Sequence, residues 1–186
     1  MTLGAEFDRA LEQAKHGIPD GLTALYIEFN PGLVRYLVAR VGADGEDVAA
    51  DVWVAVAPKI VVFEGDESGF RAWLFGFARR RLLDLLRKRH RRGDTATSID
   101  DVRPRSSDDP ADEVLGRLSA IDASKLIAHH LSADQSDVIL LRVLGGLDSS
   151  QVAEVMGRPV GWVRVTQHRG LRRLAGRLGS EMGVTQ

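Results

Sequence analysis

The stretch Phe70-Arg71-Ala72-Trp73-Leu74-Phe75-Gly76-Phe77-Ala78-Arg79-Arg80-Arg81-Leu82-Leu83-Asp84-Leu85-Leu86-Arg87-Lys88-Arg89-His90-Arg91-Arg92 decides how the chain is read. Phe70, Trp73, Leu74, Phe77, Leu82, Leu85 and Leu86 recur at helical spacing, the signature of one buried face of an α-helix. No proline interrupts the run, so an unbroken helix of roughly 34 Å is expected. The remaining positions are crowded with cations, ending in Arg87-Lys88-Arg89-His90-Arg91-Arg92. A helix of this kind needs a core on one side and solvent or a polyanion on the other. Trp73 and Phe77 fit the stripe and read as core. Phe75 falls off it and reads as a surface ring, able to stack on an unpaired base beside phosphate-binding arginines.

The pattern toward the N-terminus is also helical. Phe7, Ala10, Leu11 and Ala14 share one face of a short helix. Leu22, Leu25, Tyr26, Phe29, Leu33, Leu37 and Val41 trace a second, with an interruption expected near Asn30-Pro31. Asp44 reads as the N-cap of a third, which carries Val48, Val52, Val56 and Ile60 and should bend or end at Pro58. The polar run Glu64-Gly65-Asp66-Glu67-Ser68-Gly69 reads as a loop with a glycine near each end.

Toward the C-terminus the composition changes at Gly93. Residues 94–112 are rich in Asp, Ser, Thr and Pro and poor in apolar anchors, as expected of a flexible linker. Helical spacing resumes with Leu115, Leu118, Ile121, Leu126, Ile127 and Leu131. A helix through Val138, Ile139, Leu141 and Arg142 ends at Gly145-Gly146. Asp148-Ser149-Ser150-Gln151 resembles a capping box opening a short helix to Met156. Gly157-Arg158-Pro159 makes a turn, and Gly161 to Gly176 forms a last helix whose inner face is expected to be Val163, Leu171 and Leu174. Two short helices about a glycine turn, the second rich in arginine, are a helix-turn-helix. The fold class is therefore all-α: two small helical domains, residues 1–93 and 113–186, joined by the linker 94–112.

Composition narrows the function. The net charge of −1 conceals segregation: residues 71–92 carry 9 basic and 1 acidic side chains, and residues 158–177 carry 6 basic and none acidic. Two concentrated basic segments suit two contacts with nucleic acid. There are no cysteines, which removes disulfides and thiolate metal sites. His16, His90, His129, His130 and His168 lack the spacing of a helical metal site. No phosphate loop or nucleophile elbow occurs, so no catalytic, metal or cofactor site is expected and an enzyme is disfavoured. The start of the chain lacks the apolar run of a signal peptide and no segment approaches a membrane span, so a cytoplasmic protein is expected.

Several motifs in order resemble the extracytoplasmic-function (ECF) sigma factors, compact members of the sigma-70 superfamily of bacterial transcription initiation factors. The resemblance covers nearly the whole chain. It rests on Glu46-Asp47-Val48-Ala49-Ala50-Asp51-Val52-Trp53, on Phe70-Arg71-Ala72-Trp73-Leu74 continuing to Phe77-Ala78-Arg79, and on Asp84 with Arg87. It rests equally on Val138-Ile139-Leu140-Leu141-Arg142, Gln151-Val152-Ala153-Glu154 and Val163-Arg164-Val165-Thr166-Gln167-His168-Arg169.

The resemblance implies a sigma region 2-like bundle and a sigma region 4-like helix-turn-helix domain that bind core RNA polymerase, at the β′ clamp helices and the β subunit, and direct it to promoter DNA. Asp47, Val48, Ala50, Asp51 and Trp53 would form the polymerase-binding helix. Gly65, Asp66, Glu67, Ser68, Arg71, Phe75, Arg79, Arg80 and Arg87 would meet the minus-ten element, the loop capturing a flipped base. Val160, Gly161, Trp162, Arg164, Val165, His168, Arg169, Arg172 and Arg173 would read the minus-thirty-five element as duplex. The linker would thread the polymerase, and an anti-sigma factor is implied as a further partner. This chain departs from the pattern at Ala50, where Gln is frequent, at Gln151, which replaces a Glu, and at Pro159, where a Ser or Thr cap is common. The rival reading, a stand-alone helix-turn-helix regulator, leaves the aromatic-basic helix and Asp47 with Asp51 without a role. A nucleic-acid-processing enzyme would need a carboxylate or metal constellation.

Overall fold

A computed structural model describes residues 3–92, 127 and 130–182, so the linker and most of the segment before Ile127 lie outside the described residues. The described elements are α1 (Ala5–Lys15), α2 (Pro19–Val41), α3 (Asp44–Val56), a 3-10 segment (Ala57–Val62), α4 (Glu67–Arg91), α5 (Ala133–Val143), α6 (Ser149–Met156) and α7 (Val160–Met182). No strand occurs among the described residues.

The first four helices pack in chain order, α1 on α2, α2 on α3 and α3 on α4, and α4 also returns to α2. Helix α2 runs without a break through Pro31, contrary to the expected interruption. Its stripe of Leu25, Phe29, Leu33, Tyr36 and Leu37 is fully buried. Each such side chain contributes about 1.5–3 kcal/mol on burial, together outweighing the roughly 3 kcal/mol cost of an internal proline. Pro31 and Ile27, whose carbonyl loses its helical donor, both face solvent, where water can satisfy that oxygen.

Asp44 is not the N-cap of α3. Ala43 holds that position without a side-chain cap, and Asp44 lies in the first turn, where an acid suits the helix dipole and pairs with Arg89 of α4. Gly45 is required here, because a Cβ would come within 2.4 Å of the Val38 backbone across the α2–α3 contact. Val48, Val52, Val56 and Ile60 are buried as expected, and the α-helix gives way to the 3-10 turn just before Pro58.

The polar loop is shorter than the sequence suggested. The Asp66 carboxylate accepts a hydrogen bond from the Gly69 amide at 2.7 Å, so Glu67, Ser68 and Gly69 form the first turn of α4. Phe70 then sits among Phe29, Phe63, Trp73 and Phe7, at ring separations of 5.0, 5.3, 5.6 and 5.8 Å. This aromatic cluster ties α1, α2 and the 3-10 turn to the root of the basic helix.

The second group of helices is defined by its caps. Ser132 with Gln135 and Asp148 with Gln151 form reciprocal capping boxes at α5 and α6. Gly157 takes the left-handed conformation at the end of α6, with φ of 63°. Pro159 precedes the first turn of α7, and its carbonyl accepts from the Val163 amide at 3.2 Å. Helix α7 buries Val163, Thr166 and Gly170 on its inner face, not Leu171, which is 47% exposed. Seven residues advance a helix by about 700°, close to two full turns, whereas eight overshoot by about 80°. Gly170 therefore falls under Val163, against the Ile139 side chain, and Leu171 turns outward.

The two groups meet. Helix α6 lies on α4 and α5 touches α2, and the buried side chains form one continuous cluster from Phe7 to Val163.

Candidate nucleic-acid interface

Helix α3 presents Glu46, Asp47, Ala50, Asp51 and Val54 as one exposed strip. Spacings of three and four put them on a single face. Val54, 75% exposed, extends the strip and was not singled out from sequence. An apolar residue one turn beyond Asp51 was the available signal. Val48 and Trp53, expected in this contact surface, are buried instead. Trp53 donates from Nε1 to Asn30 Oδ1 at 3.1 Å and packs on Tyr26, so it fixes α3 on α2 from behind.

Around α4 the expected residues separate into free and engaged groups. Gly65, at φ of 148°, and Asp66 are exposed at the loop, though the Asp66 carboxylate is committed to the helix cap. Glu67 accepts from Arg71 at 3.1 Å and from the Gly4 amide at 2.9 Å. Arg71 is half-buried, lying over the Phe29 ring at 4.9 Å and 4.0 Å from Glu28. Arg80 is exposed across the Phe77 ring at 4.5 Å, and Arg87 is exposed beside Asp84 at 3.1 Å.

Three residues expected at the minus-ten surface touch the second domain: Phe75 and Arg79, which are buried or half-buried, and Ser68, which stays exposed. Phe75 is only 1% exposed, not a surface ring. It packs edge-on against Tyr36 at 5.6 Å, and a Cβ on Gly145 would lie 3.2 Å from it. Phe75 is thus enclosed between α2 of its own bundle and Gly145 of the neighbouring one, which single-helix periodicity cannot register. Ser68 accepts from Gln151 Nε2 at both its carbonyl oxygen, 2.9 Å, and its hydroxyl, 2.7 Å. Arg79 reaches the second domain through Asp137.

Asp137, on α5, is 2% exposed and faces the first domain. Its Oδ1 accepts from Arg40 Nε at 2.7 Å and from the Tyr36 hydroxyl at 3.4 Å, and its Oδ2 lies 3.4 Å from Arg79 Nε. Arg79 Nε is buried without a well-formed hydrogen bond, so this second ion pair is the looser one. Burial, with Asp137 beside it, raises the Tyr36 phenol well above its ordinary pKa, so it stays protonated and donates. Asp137 is not among the residues that motif or resemblance points to. Its signal was position: three and four residues before Leu140 and Leu141, it falls on an apolar face, where a carboxylate must find partners.

The helix-turn-helix surface is open. Gly161, Arg164, Val165, His168, Arg169, Arg172 and Arg173 are exposed, and Val160 and Trp162 are half-buried. Arg158 lies over the Trp162 ring at 5.4 Å, bracing the entry to α7. Arg164 lies in the early turns of α7, and Arg172 and Arg173 lie two turns further along.

A basic helix rooted in an aromatic cluster, beside an open arginine-rich helix-turn-helix, defines a nucleic-acid-reading protein of two helical modules. Residues 25–92 match the sigma-70 region 2 family and residues 126–174 match sigma-70, region 4. The chain is 32% identical over 179 residues to the ECF RNA polymerase sigma factor ShbA of Streptomyces griseus, covering 93% of each chain. It is 30% identical over 182 residues to the ECF RNA polymerase sigma factor SigD of Mycobacterium tuberculosis, covering 94% of this chain and 85% of that one. Among solved structures it is similar to the sigma factor RpoE of Bartonella quintana in complex with the anti-sigma factor NepR. That likeness has a TM-score of 0.66 and 26% identity, and covers 88% of this chain and 98% of that one. The fold is also that of CnrH in complex with the cytosolic domain of CnrY, with a TM-score of 0.66, 20% identity and coverage of 92% and 96%.

The chain belongs to the ECF RNA polymerase sigma factors, the family of transcription initiation factors that give RNA polymerase its promoter specificity. Among the described residues, no helix is long and apolar enough to cross a membrane.

Proposed function

We propose that residues 1–93 bind core RNA polymerase and open the minus-ten element, that residues 113–186 read the minus-thirty-five element, and that residues 94–112 link the two. The exposed strip of Asp47, Ala50, Asp51 and Val54 on α3 carries this reading. Two carboxylates on one face flanked by an apolar residue suit a basic helical partner, the β′ clamp helices. The loop at Gly65 and Asp66, with Ser68, would hold a base edge, while Arg80 and Arg87 hold backbone phosphates. The exposed face of α7 would lie in the major groove, Arg164 toward bases and Arg172 and Arg173 toward phosphates. The protein acts by binding and not by catalysis, works in the cytoplasm, and is held in check by an anti-sigma factor, as the partners of its structural neighbours suggest.

Asp51→Arg tests the assignment. It should weaken binding to purified core polymerase by about tenfold or more, with helicity intact, since a reversed charge faces like charge across the contact. Equal retention of variant and parent on immobilised core polymerase refutes it.

A further inference from the structure

We propose that the start of the chain is a strut that sets the promoter loop, with Glu67 and Arg71 as positioning residues and not base contacts. The inference rests on the reading of the loop at Gly65, Asp66 and Ser68 as the holder of a base edge. Both Glu67 oxygens are engaged inside the protein. Oε1 accepts from Arg71 Nη2 at 3.1 Å, and Oε2 accepts from the Gly4 amide at 2.9 Å. Arg71 is engaged in the same way, lying over the Phe29 ring at 4.9 Å and 4.0 Å from Glu28. Only 21% of the Arg71 side chain and 16% of Glu67's is open to solvent, whereas Gly65, Asp66 and Ser68 beside them are exposed.

The lead-in to α1 is shaped for this contact. Gly4 takes φ of 53° and ψ of −123°, a conformation that residues with a Cβ rarely adopt. The Leu3 carbonyl accepts from the Glu6 amide at 3.0 Å, closing a turn about Gly4 and Ala5. A glycine at this corner lets the chain enter α1 while its own amide reaches Glu67, 63 residues further along. Just beyond, Phe7 is buried and packs on Phe70 at 5.8 Å. The strut therefore stands on the aromatic cluster that roots α4.

The loop is thereby fixed from three sides. Phe63 lies against Gly65, where an added Cβ would come within 3.1 Å of the ring. The Asp66 carboxylate accepts from the Gly69 amide, and Glu67 is tied to the start of α1. A site discriminates among bases only if its polar groups are held in place, because a loop that follows any base rejects none. One exposed hydrogen bond adds little to global stability, so the strut acts on the order of the loop and not on the fold.

Gly4→Pro removes the donor at one end of the strut, and Glu67→Ala removes the acceptor at the other. In the full-length protein, exchange of the Gly69 and Phe70 amides, both bonded to Asp66, reports the order of the loop. It should quicken by about fivefold in either variant, as for the loss of one hydrogen bond. The double variant should exchange no faster than either single one, because both break the same contact. With core polymerase, selection from promoters randomised across the minus-ten element should give a flatter preference at the captured base in both variants. Glu67→Gln, whose side-chain oxygen can still accept from Gly4, should restore the parent's preference. A merely structural loss would lower the melting temperature and leave the preference intact, which overturns the strut. A new preferred base in Glu67→Gln would make Glu67 a direct contact and overturn its positioning role. Glu64→Ala with Ser68→Ala tests the loop itself. If that pair shifts the preference while Gly4→Pro and Glu67→Ala do not, the strut alone is overturned. If the pair changes nothing, the base-holding reading of the loop falls; faster exchange then still supports the strut, and unchanged exchange overturns it.

Discussion

A carboxylate taken out of water persists where its charge is matched and its oxygens are occupied. Asp137 meets that condition through groups contributed from more than 50 residues away in the chain: Arg40, Arg79 and a phenol that burial keeps protonated. Tyr36 gives this arrangement a measurable pH signature. In the unfolded chain the phenol ionises near pH 10, whereas in the folded protein it does so only well above that. Its contribution is therefore fully present below about pH 10 and is lost as pH rises toward the folded value. Urea unfolding at pH 8 and about pH 11 should show a clear loss of stability for the parent and a smaller one for Tyr36→Phe. An identical alkaline loss in both would remove Tyr36 as its source. At this scale the sequence was legible where a side chain answers to its own helix: Val52, Val56, Phe70 and Leu74 are core as their spacing required. It was not legible at Phe75, which sits between Tyr36 of its own domain and Gly145 of the other, nor at Asp137, whose partners all come from the other domain.

Among the elements, α7 carries the sharpest expectation. If its early turns face bases, Arg164→Ala should change the preferred minus-thirty-five sequence in a selection from random duplexes, at a cost of about 1–3 kcal/mol. Arg173→Ala should weaken binding uniformly and flatten its salt dependence. The same preferred sequence from both variants and the parent would mean that the helix lies otherwise in the groove. Element existence and type were readable because apolar spacing is a strong signal over many residues, as in α2 and α4. Ends and phases were not. Asp66 took the cap of α4 and shortened the loop, Ala43 displaced Asp44 as the N-cap of α3, and Gly170 displaced Leu171 from the inner face of α7. In each case local geometry of one or two residues outweighed a pattern averaged over a turn. At Pro31 the reverse held, and a long buried stripe carried the helix past a residue that usually stops it.

As a whole molecule the protein has one continuous core spread over two family modules, although neither module's sequence announces the other. Shared burial couples the folding of the two halves. Calorimetry of the parent should therefore give a single transition, and Asp137→Asn, if it parts the halves, should resolve two. A single transition in that variant at the parent temperature would mean that the apolar contacts alone weld the halves together. The composition break at Gly93 is a sequence signal for two halves, but the packing of one half on the other carries none, since it depends on surfaces with no common periodicity.

Asp137 has a final consequence, in the currency of ions. Ordinarily an arginine that binds a phosphate sheds its associated anion, while the nucleic acid sheds condensed cations, and affinity falls with salt by about 0.7 decades per decade for each single-strand phosphate. Arg79 carries its anion with it, as part of the chain. When phosphate takes that arginine, no free anion is released, and the uncovered carboxylate gathers a cation back from solution. Single-strand binding by the parent should thus depend on salt more shallowly than its arginine count implies, and Asp137→Asn should steepen it. The protein would then carry, in one buried residue, a built-in buffer against the ionic strength of its surroundings.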